Sequence, residues 1–161
     1  MRQPKSAYSP YAFDLTYGYF LEGNYAETVQ ASAKYLTLDY PDPIIILLRH
    51  VALLRLGRTS EARAMLEKSV ASFKAPWEGH FLLLEFQSRL FDASPVEKSG
   101  PVAKDFVQRR AFFRAKRFAA NSDKAKAISA LQEVVQNGDR SSLLYLAAQI
   151  ELERLGQAAP H

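Results

Sequence analysis

Five cations stand within nine residues of one another: Arg109, Arg110, Arg114, Lys116 and Arg117. On a helical wheel Phe106 and Phe113 lie among them, opposite an apolar arc of Val107, Ala111, Phe112, Ala115 and Phe118. Cations hold phosphate oxygens and flat rings stack on bases, so this stretch, residues 104–119, could grip a nucleic acid. It could equally hold an acidic protein segment or lie on an anionic lipid surface. The plainest alternative is a solvated charged face whose phenylalanines pack against neighbouring helices. A second group is apolar. Phe13, Tyr17 and Phe20 follow one another at +4 and +3 steps, Leu47 and Val51 continue Ile44 towards Leu54, and Trp77 and His80 lead to Leu84. Side chains of this kind can bury one face of an amphipathic helix or an extended peptide. Tyrosine and tryptophan are also enriched where binding energy concentrates.

Groups suited to catalysis are sparse. The chain has no cysteine, which excludes a disulfide scaffold, a thiolate metal site and a cysteine nucleophile. Of the three histidines, His161 is the last residue, and His50 and His80 sit in apolar helical stretches. None has a second histidine or a carboxylate at a repeated ligand spacing. Glu151 and Glu153 fall on different faces of a helix and read as solvated surface. No phosphate-cradling glycine loop or nucleophile elbow occurs. These residues predict no catalysis, no metal and no cofactor.

The net charge of +4 could steer an acidic partner, but it is far from the dense basic block of a nucleic-acid tail. Nucleic acid is therefore the less favoured ligand. The opening residues, Met1 to Lys5, lead into no apolar stretch of the signal-peptide kind. The longest apolar runs, Ile44–Leu48 and Phe81–Leu84, are too short to span a bilayer. A cytoplasmic location is expected.

Helices must position all of these groups, because apolar residues recur at helical rather than alternating spacing throughout. Proline and small polar residues mark the starts, and glycine marks the ends. The first helix is expected from Ser9-Pro10 to Glu22, ending at Gly23. Asn24 caps a second, with Glu27 completing a capping box, and this helix ends near Asp39. Asp42-Pro43 opens a third that stops at Gly57, and Thr59 or Ser60 opens a fourth that ends near Lys74. Pro76 opens a fifth to about Phe91, and a short turn around Ser94–Gly100 precedes a sixth over Pro101–Ala120. Ser122 caps a seventh ending at Asn137-Gly138, and Asp139 caps an eighth ending at Gly156. Connections this short make consecutive helices antiparallel. The predicted fold class is all-α.

The punctuation repeats. Gly23 and Gly57 stand 34 residues apart, as do Ser122 and Gly156, and Pro43 and Pro76 stand 33 apart. Candidate core positions repeat as well. The first helix offers Ala12, Leu15, Thr16 and Tyr19, and the last offers Tyr145, Ala148, Gln149 and Leu152. Second helices of the pairs offer Thr28, Ser32 and Tyr35, then Ala62, Leu66 and Ser69, then Ala127, Leu131 and Val134. A period of 34 with two helices per unit is the tetratricopeptide length. The run Gly23-Asn24-Tyr25-Ala26-Glu27, with Leu38-Asp39 and Pro41 downstream, resembles the tetratricopeptide repeat family. Leu56-Gly57-Arg58-Thr59-Ser60-Glu61-Ala62 echoes it. The resemblance covers residues 9–75 and 122–156, whereas residues 92–121 depart from it.

That resemblance implies a single domain over 1–161, an α-solenoid of about eight antiparallel helices. Its units would be 9–41, 43–75, an irregular 76–120, and 122–156. It also implies a non-catalytic adaptor, scaffold or chaperone-like module whose concave surface meets a protein or peptide partner. The candidate partner-binding residues are Phe13, Tyr17, Phe20, Leu47, Val51, Trp77 and His80. Because these are aromatic or aliphatic, the sequence lacks the Lys and Asn positions by which some members grip a C-terminal carboxylate. Two alternatives to an open groove stand beside it. The stripes could be plain core of a bundle closed on itself, or a surface for self-association into a homo-oligomer.

Overall fold

A computed structural model describes residues 10–37, 42–72 and 101–156. Within them the chain is helical: α1 (Pro10–Glu22), α2 (Tyr25–Ala33), α3 (Pro43–Arg55), α4 (Thr59–Ser72), α5 (Pro101–Ala120), α6 (Lys124–Asn137) and α7 (Leu143–Arg154). A short 3-10 turn over Tyr35–Thr37 follows α2. The helix expected from Pro76 to Phe91 lies outside the described residues. No described helix is long and apolar enough to cross a membrane.

Local chemistry explains the helix starts. Pro10, Pro43 and Pro101 each occupy the first helical position, where a missing N–H loses nothing and a fixed φ helps. Asp42 accepts a hydrogen bond from the Ile44 amide at 2.8 Å, Asp123 from the Lys126 amide at 3.2 Å, and Ser142 from the Leu144 amide at 3.1 Å. Each satisfies an amide that the helix itself cannot. Two expected caps are corrected here. Asp139 does not cap α7, because its carboxylate instead accepts from the Ser141 amide and hydroxyl at 2.9 and 2.8 Å. The capping box at Asn24 does not form, because the Asn24 side-chain amide donates to Glu22 at 2.8 Å.

One turn is used three times. Gly23, Gly57 and Ser122 have φ of 81°, 74° and 63°, the left-handed conformation that ends a helix. At each, two backbone bonds close the turn in the same pattern. Gly23 N donates to Phe20 O and Asn24 N to Tyr19 O, at 3.1 and 2.8 Å. Gly57 N donates to Leu54 O and Arg58 N to Leu53 O, at 3.0 and 2.9 Å. Ser122 N donates to Ala119 O and Asp123 N to Phe118 O, at 3.2 and 2.9 Å. One residue later the next helix begins, at Tyr25, Thr59 and Lys124. Ser122 thus ends α5 rather than capping α6, which is the work of Asp123.

The chain falls into two compact units, Met1–Ala62 and Arg63–His161. In the first, α1 packs on α2, α2 on α3, and α1 also on α3. Its core is formed by Tyr17, Phe20, Val29, Tyr35 and nearly every residue of α3 from Ile44 to Leu53. Buried Thr28 and Ser32 return their hydroxyl protons to the carbonyls of Asn24 and Val29, at 2.9 and 3.1 Å. In the second unit α5 packs on α6, α6 on α7, and α5 also on α7. Its interior is different in kind. Ala111, Ala115, Ala127, Ala130, Ala147 and Ala148 are buried, and such small residues let helix backbones approach. Phe112 and Phe113 fill the remaining space edge to face, 5.3 Å between ring centres.

The repeated inward positions of the second helices hold well. Thr28, Ser32, Tyr35, Ala62, Leu66, Ala127, Leu131 and Val134 are all buried, and Ser69 is half-buried. The face of α1 is corrected: Leu15 points out, while Thr16, Tyr17 and Phe20 point in.

Candidate functional site

The apolar stripes come first, because they were expected to form an open groove. Tyr17 and Phe20 on α1 and Leu47 and Val51 on α3 are all buried within the first unit. On α3 both stripes are enclosed, Ile44, Leu47 and Val51 beside Ile45, Leu48 and Ala52. The surplus stripe is therefore core, because α3 is covered by α2 on one side and by α1 on another. Of Phe13 only the backbone is described. Trp77 and His80 lie outside the described residues.

Two polar side chains of α3 break this apolar surround, and both brace neighbouring segments. Arg49 donates through one guanidinium nitrogen to the Val29 carbonyl and, at 3.2 Å, to the Ser32 hydroxyl. Its other terminal nitrogen lies 3.9 Å from the Glu61 carboxylate. Burial pushes the Arg49 guanidinium below its ordinary pKa, and Glu61 opposes that shift. Next to it, His50 Nδ1 is 3.0 Å from the Ala62 carbonyl, a contact that requires the proton on Nδ1. His50 is thus a buried strut between α3 and the first turn of α4.

The cations of α5, with Phe106 and Phe113 among them, were expected on the arc opposite Val107, Ala111, Phe112, Ala115 and Phe118. The structure encloses much of that arc. Arg110 and Lys116 are buried, as are Phe106 and Phe113. Arg114 pairs with Glu133 on α6. Lys116 Nζ reaches Glu151 on α7 at 2.9 Å, with side-chain exposures of 2% and 11%. The same ammonium stands 5.2 Å from the Phe112 ring centre. Arg154 supplies Glu151 with a second cation at 3.2 Å. Arg109 is the more open member, paired with Asp105 at 2.7 Å one turn earlier. The five cations are thus not displayed together on one face. Arg109, Arg114 and Lys116 turn their charge on carboxylates of the chain itself, and Arg117 is half-buried.

Sequence reasoning missed Glu133 and Glu151 as the recipients. A signal existed for Glu151. It stands four and three residues after Ala147 and Ala148, on the arc that α7 buries. The two glutamates do fall on different faces, but only Glu153 is solvated surface, because Glu151 is buried.

A further polar clamp holds the α6–α7 turn. The Gln108 amide donates to the Asp139 carbonyl at 3.3 Å and accepts from the Asp139 N–H at 3.4 Å. Gly138 makes room for it, because a Cβ there would overlap the Gln108 side chain and the Val134 carbonyl. Among the described residues, no group of three or more His, Cys, Asp or Glu could hold a metal ion.

Among the described residues, the large apolar side chains left in solvent are Leu15, Leu56, Leu143 and Leu146. The last two lie three residues apart on α7, so they share a face. Comparison with family profiles, with curated proteins and with solved structures finds no match to this chain.

Proposed function

We propose that this chain is a non-catalytic protein-interaction module built from tetratricopeptide-like hairpins. The observation that carries the reading is the recurrent left-handed turn at Gly23, Gly57 and Ser122. One hairpin design used three times is what a helical-repeat chain does, and such chains act through their surfaces. The buried and half-buried ionisable groups support the same reading. Arg49, His50, Arg114, Lys116 and Glu151 are each spent on holding one helix to another.

The partner surface proposed here is the outer side of α1 around Leu15, which is 45% exposed, rather than the buried Tyr17 and Phe20. A photo-crosslinking residue at position 15, in the native chain and in a cell extract, tests this. One discrete adduct is expected, absent when the probe replaces the exposed Arg63 of α4 and competed by added native chain. Diffuse adducts of equal yield from both positions would sink the proposal.

A further inference from the structure

Helix α7 is apolar on two sides. Leu144, Ala147, Ala148 and Leu152 face the interior of the second unit. A second stripe, Leu143, Leu146 and the half-buried Ile150, runs along its other side at +3 and +4 steps. Leu143 and Leu146 are 43% and 45% exposed. A surface helix needs one apolar stripe, and the outer one is left open among the described residues.

Charges bracket that outer stripe. Arg140 stands three residues before Leu143, and Glu153 stands three residues after Ile150. Both are exposed, and neither has an ion-pair partner among the described residues. Arg140 lies in the turn that precedes α7 and Glu153 in its last turn, so the order along the chain is plus, three apolar side chains, minus.

We infer that this face of α7 is a self-complementary contact that pairs two copies of the chain about a two-fold axis. Antiparallel apposition of α7 with its copy centres the axis beside Leu146. Leu143 of one copy then lies against Ile150 of the other. Arg140 of each copy meets Glu153 of its mate, so both lone charges are answered twice by one symmetry operation. A parallel apposition would set like charges together and is disfavoured. The interface is one short helix on another, well below the area of a standard stable complex, so association on the order of 10⁻⁵ M is expected. This inference concerns a different face from the one proposed for a partner, and it stands or falls without it.

Sedimentation of the native chain over a concentration series is the test. The mass should rise towards twice that of the monomer as concentration passes that range. Leu146→Lys places two ammonium groups beside the axis and should abolish the rise, while circular dichroism is unchanged because the position is exposed. Arg140→Glu and Glu153→Arg should each weaken association about tenfold, and the double variant should restore it. A native chain that remains monomeric throughout overturns the inference. So does self-association that Leu146→Lys leaves intact, or charge variants whose combination restores nothing.

Discussion

The two units share a plan and differ in what fills it. In each, three consecutive helices pack so that the first touches the second and third, and the second touches the third. In the first unit α3 brings Ile44, Ile45, Ile46, Leu47 and Leu48 into a core closed by Tyr17 and Phe20. Its polar interior is mainly short hydroxyls answered by nearby carbonyls. In the second unit alanines bring the helices together, Phe112 and Phe113 fill the space left, and the charged Arg110, Lys116 and Glu151 are buried as well. The plan follows from helix lengths and turns, whereas the filling decides how stability responds to its surroundings. Aliphatic burial is indifferent to pH and little affected by salt. A buried ion pair gains little over an apolar replacement but is severe when half of it is lost.

The largest expected effects set these fillings against each other. Phe20→Ala in the first unit should cost about 3–5 kcal/mol, through lost burial and the cavity left behind. Glu151→Ala in the second should cost about 3–5 kcal/mol, because Lys116 stays buried without its carboxylate. Urea unfolding would measure both. The contrast lies in rescue: Lys116→Met together with Glu151→Leu should recover most of the loss. If the double replacement is as damaging as Glu151→Ala, the second unit needs the charges themselves and the comparison changes.

A smaller pair of variants asks how alike the turns are. Ser122 holds a φ of 63° at the position filled by glycine in the other two turns. Ser122→Gly should therefore stabilise by about 0.5–1 kcal/mol, and Gly57→Ser should destabilise by about 1 kcal/mol. Thermal unfolding would show both signs. Two changes of the same sign would mean that the turns are not equivalent.

The smallest effect is local and belongs to the second unit. Hydrogen bonds from Lys126 hold the Asp123 carboxyl below the ordinary aspartate range, and those from Ser141 do the same for Asp139. A lowered folded-state value means that the bonds stabilise at neutral pH and above the unfolded-state pKa. They are lost as pH falls through the lowered value. Carboxyl-carbon NMR should place both midpoints below about 3.9, the ordinary value for aspartate. Midpoints at or above it would show that these loops are not held as described.

Much of this fold was legible in the sequence. Pro10, Pro43 and Pro101 start their helices, Gly23 and Gly57 end theirs, and α5 spans the expected residues. These signals are local, because a missing N–H or Cβ acts on its own backbone whatever lies nearby. The misread residues are those with more than one local use. Ser122, Asp139 and Asn24 can each cap a helix, shape a turn or bond a neighbouring side chain, and the surroundings choose.

The candidate site was harder to read, because a stripe at helical spacing says that a face is apolar and not what covers it. Tyr17, Phe20, Leu47 and Val51 carry the composition of a binding groove, and α1–α3 close over them. Arg110 and Lys116 carry the composition of a polyanion site, and both are enclosed, Lys116 against Glu151. The sequence by itself determined helix positions, turn chemistry and the all-α class, since these depend on residues within one turn of each other. Only the tertiary structure decided which apolar face is core and which is open, and whether a cation meets solvent or a carboxylate. Those outcomes depend on contacts between helices far apart in the chain.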